Sequence, residues 1–198
     1  MPGPILEVSD SEDRDLVLRT VEREDAALLQ RLFVDPYARL ALHEHSHKSE
    51  AEVEEFVEEQ VEDDGNAGYF ACVDGEDAPY DHPDDDETEP VAFVYASHVD
   101  RDRPRLVLWV LPEHEGDGHA VPALELALDG LLRTYDAHSV GAEVLEGDEY
   151  TREAFEAVGF TDEGRTREVR FADGEYQDAV QYGLLREEYD ESGRAGGA

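Results

Sequence analysis

The chain has 198 residues, 40% of them hydrophobic, which is enough for one domain with a real core. Its 52 acidic residues against 16 basic ones give a net charge of −36, which argues against general nucleic-acid binding, since that depends on Lys and Arg neutralising phosphates. No run of 18 apolar residues is present to span a membrane, and the N-terminus lacks the basic and apolar regions of a signal peptide, so a soluble, cytoplasmic protein is expected.

Residues 1–14 read as a polar tail and 15–189 as a single domain. "LVLRTV" (16–21) predicts a strand, and "EREDAALLQRLF" (22–33) a helix with Leu28, Leu29, Leu32 and Phe33 on one face. A short turn or helix after Pro36 leads into the histidine-rich "HEHSHKSE". A second helix is predicted over 49–64, with Ser49 as its cap and Val53, Phe56, Val57 and Val61 at helical spacing. "GYFACV" (68–73), "PVAFVYASHV" (90–99) and "RLVLWVL" (105–111) predict strands. The first two are joined by the acidic loop 74–89, and the last two by a tight charged turn. The segment "PEHEGDGHAVPAL" (112–124) turns into a helix through about Tyr135. A strand (139–147), a short helix ending at Gly159, and two strands paired across Asp173-Gly174 follow. Residues 190–198 read as a flexible tail. An antiparallel meander followed by a βαβ crossover predicts a mixed α/β sheet with helices on both faces.

The acids are spread between apolar runs and read as a solvated coat. With Lys48 the only lysine, the composition points to a salt-rich cytoplasm, that of a halophilic archaeon. At about 1 M salt the Debye length is only about 3 Å, so the self-repulsion of such a coat is screened. Cys72, the single cysteine, sits in an apolar run and reads as core.

The stretch 112–124 carries the first functional signal. A helix N-terminus presents unpaired N–H groups and a partial positive charge, an anion site that needs no cationic side chain. Gly116 and Gly118 allow a phosphate to approach the backbone closely, although the flanking charges are Glu113, Glu115 and Asp117.

In this setting the chain resembles the GNAT N-acetyltransferase superfamily, nearer its RimJ/RimL-like branch. The cofactor loop R/Q-x-x-G-x-G/A of that family is matched by Glu115-x-x-Gly118-x-Ala120. Its N-x-x-S run before a short helix ending in G-F is matched by "DEYTREAFEAVGF", and the branch's closing segment by "DEGRTREVRFADGEYQDAVQYGLLREEY". The resemblance implies a GNAT-like α/β (α+β) fold with a mostly antiparallel sheet, and acetyl-CoA as co-substrate. Val110, Leu111, Gly116, Asp117, Gly118, His119, Ala120 and Asp148 would be the cofactor-binding positions.

Three positions depart from the family. Glu115 replaces its Arg or Gln, Arg105 its strand Glu base, and Phe155 its proton-donating Tyr. Thr151, at the branch's serine position, is then the candidate to protonate the thiolate. His98, on a strand expected beside the cleft, is the candidate base, because an amine must lose a proton to attack. His43, His45 and Tyr150 are candidates for the acceptor side, with His47 and Glu44 nearby. Trp109, alternating in an apolar strand, reads as core. The H-x-H-x-H run lacks the cysteines or fixed scaffold of a metal site, so no metal is expected. The implied activity is acetyl transfer to a primary amine, either a protein N-terminus or a small molecule, by a monomer or homodimer. The competing reading is a non-catalytic acyl-CoA-binding module.

Overall fold

The computed structural model describes residues 5–8, 16–74, 88–172 and 174–191. The described residues form eight strands and six α-helices built around one sheet, with the strands in the order β1-β2-β3-β4-β5-β6-β8-β7. The strands are β1 (Ile5–Val8), β2 (Leu16–Thr20), β3 (Asn66–Asp74), β4 (Thr88–Ser97), β5 (Arg105–Val110), β6 (Ser139–Leu145), β7 (Thr161–Ala172) and β8 (Glu175–Leu185). All neighbours are antiparallel except β5 and β6. The expected mixed, mostly antiparallel sheet is therefore present.

The helices are α1 (Ala26–Leu32), α2 (Pro36–Ala41), α3 (Glu50–Phe56), α4 (Ala120–Thr134), α5 (Glu149–Val158) and α6 (Arg186–Glu191). Alternation along the strands divides the core between the two faces of the sheet. On one face Val107, Trp109 and Leu111 pack with Leu29, Leu32, Phe33 and Phe56 of α1–α3. On the other, Leu106, Leu108 and Val110 pack with Leu124, Leu128 and Leu131 of α4 and Phe155 of α5. Cys72 is buried in the first of these layers, where burial pushes its thiol up to about 11.

Local signals explain the helix ends. Ser49 caps α3 through a reciprocal capping box with Glu52, whose carboxylate accepts from the Ser49 N–H at 2.8 Å. The helix then loosens into a π turn, Val57–Val61, instead of continuing as α to residue 64. Asp35-Pro36 starts α2: the Asp35 carboxylate accepts from the N–H groups of Tyr37 and Ala38, and proline occupies the first turn. Gly159, at φ 112°, ends α5 in the left-handed conformation that glycine adopts without strain.

Two differences from the sequence reading stand out. Ile5–Val8, expected in a polar tail, pairs with β2. α6 runs into the segment assigned to the C-terminal tail. The turn or helix expected after Pro36 is the helix α2. The acidic loop lies, over residues 75–87, outside the described residues, as do residues 192–198 of the C-terminal tail. Asp74 and Thr88 pair across the expected hairpin. No helix among the described residues is long and apolar enough to cross a membrane.

Folding brings 52 acids and 16 bases into one small volume, so charge repulsion rises on compaction. At about 0.01 M salt the screening length is about 30 Å, the width of a domain, and every acid feels most of the others. The melting temperature is expected to climb steeply between 0.05 M and 3 M KCl, as followed by circular dichroism. A flat response would mean that the acids are locally compensated.

Candidate active site

The site begins where two strands part. β5 and β6 run parallel and pair only at Arg105↔Gly141 and Leu106↔Ala142. Beyond those pairs the facing backbone edges separate around a narrow slot lined by Leu106, Val107, Leu108, Val144, Asp148 and Thr151. An apolar slot walled by unladdered peptide groups calls for a ligand that is slender and carries its own amide donors and acceptors, because buried backbone polar groups need partners. The pantetheine arm of acetyl-CoA has that chemistry.

The slot opens toward the turn between β5 and α4. Gly116 and Gly118 lie there with φ of 89° and 87°, exposed, and a Cβ placed on either would meet nothing within 4 Å. α4 is 15 residues long, and no side chain caps its N-terminus, so its first-turn N–H groups are left for an anion. Buried Pro122 takes a first-turn place where no N–H is required. The loop uses part of its own donor set: the Asp117 N–H bonds to the His114 carbonyl at 3.2 Å. The Gly116 N–H donates to the Tyr150 hydroxyl at 3.4 Å. Of the expected donors Gly116–Ala120, the amides of Gly116 and Asp117 thus have partners within the protein. Tyr150, expected on the acceptor side, instead braces this loop against α5. Val110 and Leu111 are buried, and the Leu111 N–H is held by the Val91 carbonyl at 2.9 Å, so they support the loop from below.

Asp148 and Thr151 meet at the start of α5. Asp148 is the N-cap; its carboxylate accepts from the Thr151 N–H at 3.1 Å and bonds to the Thr151 hydroxyl as well. Thr151 is thus not the cap itself but the residue three positions on, 9% exposed, with its side chain in the slot wall. Burial pushes the Asp148 carboxyl above the usual carboxylate range, against the pull of the Thr151 bonds. Phe155 is fully buried against Phe160 and Tyr182 and presents only carbon to the slot.

On the α2 side a charged group closes the slot. Glu143 of β6 accepts from Gln181 Nε2 at 2.7 Å and lies 3.2 Å from Arg170 and 3.4 Å from Arg105. Burial pushes its carboxyl up, but the Gln181 bond and the two guanidinium groups outweigh this and hold it below the usual range. The Nε2 of His43, in the left-handed turn after α2 at φ 63°, is 3.8 Å from the same carboxylate. Burial, then Arg105 and Arg170, lower the affinity of His43 for a proton. His45 is exposed, close enough for its charge to act on His43.

His98 is a correction. It does not lie beside the cleft but in the turn beyond the Ser97↔Arg105 pair, at the closed end of the strands, with its N–H on Asn66 Oδ1. That is about four residues, or about 13 Å along the strand, from the open part of the slot at Leu108. The turn places its backbone at φ 59° and its ring in solvent.

Sequence reasoning also missed Glu143, Tyr37 and Asp35. A lone acid inside the apolar run "SVGAEVL" was the available signal for Glu143, since a half-buried charge needs paired partners. Asp35-Pro36 was the signal for a helix start that would place Tyr37 in the cleft. Tyr37 lines both the slot and an open depression of about 500 Å³ beside Val34, Asp35, Trp109 and Pro112. Trp109 is core, as expected, but its indole N–H is buried without a hydrogen-bond partner.

Near the two helix-capping acids Asp35 and Asp148 lies a third acid, Glu115. Burial raises the affinity of Glu115 for a proton, and so do the charges of Asp35 and Asp148. A carboxyl held above its unfolded value contributes stability at low pH that is lost as pH rises through the folded value. Glu115→Gln is therefore expected to melt higher than the parent at pH 7, with the gain shrinking as pH falls below the carboxylate range. An equal shift at pH 4 and pH 7 would mean that charge repulsion is not its cause.

Comparison with known proteins agrees with this geometry. Residues 15–161 match the family model of the acetyltransferase (GNAT) domain. Spermidine N(1)-acetyltransferase of Escherichia coli (strain K12) is 23% identical over 172 residues, covering 87% of each chain. The crystal structure of spermidine N-acetyltransferase from Vibrio cholerae in complex with CoA and spermine superposes with a TM-score of 0.73 at 22% identity, over 88% of this chain and 97% of that one. A dodecameric structure of the Vibrio cholerae enzyme superposes with a TM-score of 0.66 at 22% identity, over 88% and 95% of the two chains. With three-quarters of its length matched and its β5–β6 slot opening onto the α4 loop, the chain belongs to the GNAT acetyltransferase family and is an acetyl-CoA-dependent N-acetyltransferase.

Proposed function

We propose that the chain transfers the acetyl group to a small primary amine that carries further positive charge, as a polyamine does. The observation that carries this reading is the convergence of Asp35, Glu115 and Asp148 at the mouth of the slot. There burial raises the proton affinity of both Glu115 and Asp148, and neighbouring acid charge adds to it, from Asp35 and Asp148 on Glu115 and from Asp35 on Asp148. An ammonium group entering among them relieves that repulsion, and the acidic coat attracts cations from a distance. The spermidine acetyltransferases among its relatives support the same class of acceptor.

Acetyl-CoA supplies a thioester whose carbonyl is open to an amine and whose sulfur leaves as a thiolate. The amides of Gly118, His119 and Ala120 hold its pyrophosphate, and the edge of β5 beyond Leu106 orients its slender arm. His43 accepts the proton from the amine, because its lowered proton affinity keeps the imidazole neutral near pH 7 and Glu143 lies behind it. His45 lines the way in. Thr151, in the slot wall beside the Asp148 carboxyl, offers its hydroxyl as the hydrogen-bond donor to the departing sulfur. The acidic composition supports a salt-rich habitat for this enzyme.

A second reading is favoured by a separate observation. Arg105 Nη2 and Arg170 Nε are buried without hydrogen-bond partners, and the two guanidinium groups share the single carboxylate of Glu143, which leaves an excess of positive charge that suits an acceptor with a carboxylate beside its amine. The RimJ/RimL-like ending of the chain supports a protein N-terminus in that place. CoA release with spermidine, with a neutral monoamine and with a peptide of acidic N-terminus, each in molar KCl, separates the readings. Highest kcat/KM for spermidine is expected; highest kcat/KM for the peptide would replace the first reading with the second.

Thr151→Val keeps the side-chain shape and removes the donor. It is expected to lower kcat by about 10–100-fold, at or below the usual range for one positioned proton donor, with acetyl-CoA affinity by calorimetry nearly unchanged. Wild-type turnover would leave Thr151 as packing alone. For His43 the test is the pH profile. In the parent, kcat/KM is expected to rise through an inflection below 6.5, the ordinary histidine value. His43→Asn is expected to lose that limb, and its survival would assign the base elsewhere.

A further inference from the structure

Outside the slot, a second group of side chains meets in the turn that leads into α4. The segment His114-Glu115-Gly116-Asp117-Gly118-His119 reverses direction at each glycine, at φ 89° and 87°. These reversals on either side of Asp117 fold the chain so that His114, Asp117 and His119 face one another. One ligand-type atom from each lies within 4.8 Å of the other two. The His114 side chain is 15% exposed, with Nδ1 3.5 Å from Asp117 Oδ2 and Nε2 3.3 Å from Glu89 Oε1. The His119 ring stands edge-on to it, with centroids 6.0 Å apart.

We propose that His114, Asp117 and His119 form a binding site for a divalent transition-metal ion of the zinc class. Two imidazoles and a carboxylate are borderline donors, suited to zinc and its neighbours and unlike the all-oxygen sets of calcium or magnesium. Closing the three atoms around an ion with ligand bonds of about 2.0–2.1 Å needs only side-chain rotation in an exposed turn. His114 Nε2 is buried without a hydrogen-bond partner, and Glu89 Oε1, 3.3 Å away, stands where the outer partner of a metal-bound histidine would fix the ring. An ion pair alone would account for His114 between Asp117 and Glu89. It does not account for a second imidazole that brings a ring nitrogen within 4.8 Å of both groups. Three protein ligands leave a coordination position open beside the amides of Gly118–Ala120. Resting on the acetyl-CoA reading of that loop, the site has a consequence: a bound dication supplies the positive charge that Glu115 does not. This site lies apart from the His43, His45 and His47 run, where no metal was expected.

The test is calorimetric titration of ZnCl2 into chelator-treated protein in molar KCl, in the absence of acetyl-CoA. Binding of one ion per chain is expected, weakened at least tenfold in His119→Ala and in Asp117→Asn, and unchanged in the double variant His45→Ala, His47→Ala. Retained affinity in His119→Ala, or loss only in the His45, His47 double variant, overturns the site. Co2+ added to the parent is expected to give visible absorption of a low-symmetry nitrogen–oxygen site, absent in His119→Ala. Absorption that survives in His119→Ala overturns the assignment. Acetyl-CoA titrated with and without Zn2+ then reads the consequence. Several-fold tighter binding in Zn2+ supports it, and equal affinity overturns the coupling. Failure of acetyl-CoA to bind in either state would count against the cofactor reading and not against the metal site.

Discussion

The parting of β5 and β6 after two residue pairs is the constraint on which the site depends. A parallel ladder carried to Val110 would satisfy both strand edges and leave no slot. Because it stops at Leu106, the strands diverge, Asp148 and Thr151 reach the gap from the start of α5, and the β5 edge faces it. The same divergence leaves Glu143 half-buried beside the gap, which is why it needs Arg105, Arg170 and Gln181 around it. α2 packs over this region through Leu40 and Tyr37 against Leu145 and Ala179, and so carries His43 to the mouth. One local failure of pairing thus positions groups from β5, β6, α2 and α5.

A chain of net charge −36 must also hold an anionic cofactor. On the proposed reading, this loop holds it by backbone and not by side chain. Helix dipole and N–H groups cannot be titrated away, and screening by salt weakens long-range repulsion from the acids far more than it weakens a hydrogen bond in contact. The arrangement keeps one cost, the mutual repulsion of Asp35, Glu115 and Asp148. Under the proposed reading, that cost becomes selectivity for a cationic acceptor.

Much of this was legible in the sequence where period and punctuation agree. Alternation in "RLVLWVL" placed Trp109 in the core, Ser49 marked the start of α3, and Gly159 marked the end of α5. The glycine pair before Ala120 marked the loop. Legibility failed where tertiary contact decides. Ile5–Val8 is a strand only because the edge of β2 is available to it. His98 looked like a strand residue beside the cleft, but the turn begins one residue earlier, after Ser97, and turns it away. Tyr150 carries no signal of which hydroxyl contact it will make, and its bond to Gly116 depends on how α5 meets the loop. The group around Glu143 draws on four strands and a turn, a juxtaposition that no local spacing records.

The most direct measurement of the central claim is amide hydrogen exchange with and without acetyl-CoA in molar KCl. If the β5–β6 slot and the α4 turn hold the cofactor, protection is expected over residues 107–110 and 118–121, with little change in α1 or α3. Protection confined to other segments, or no change in these two at saturating acetyl-CoA, would contradict the account.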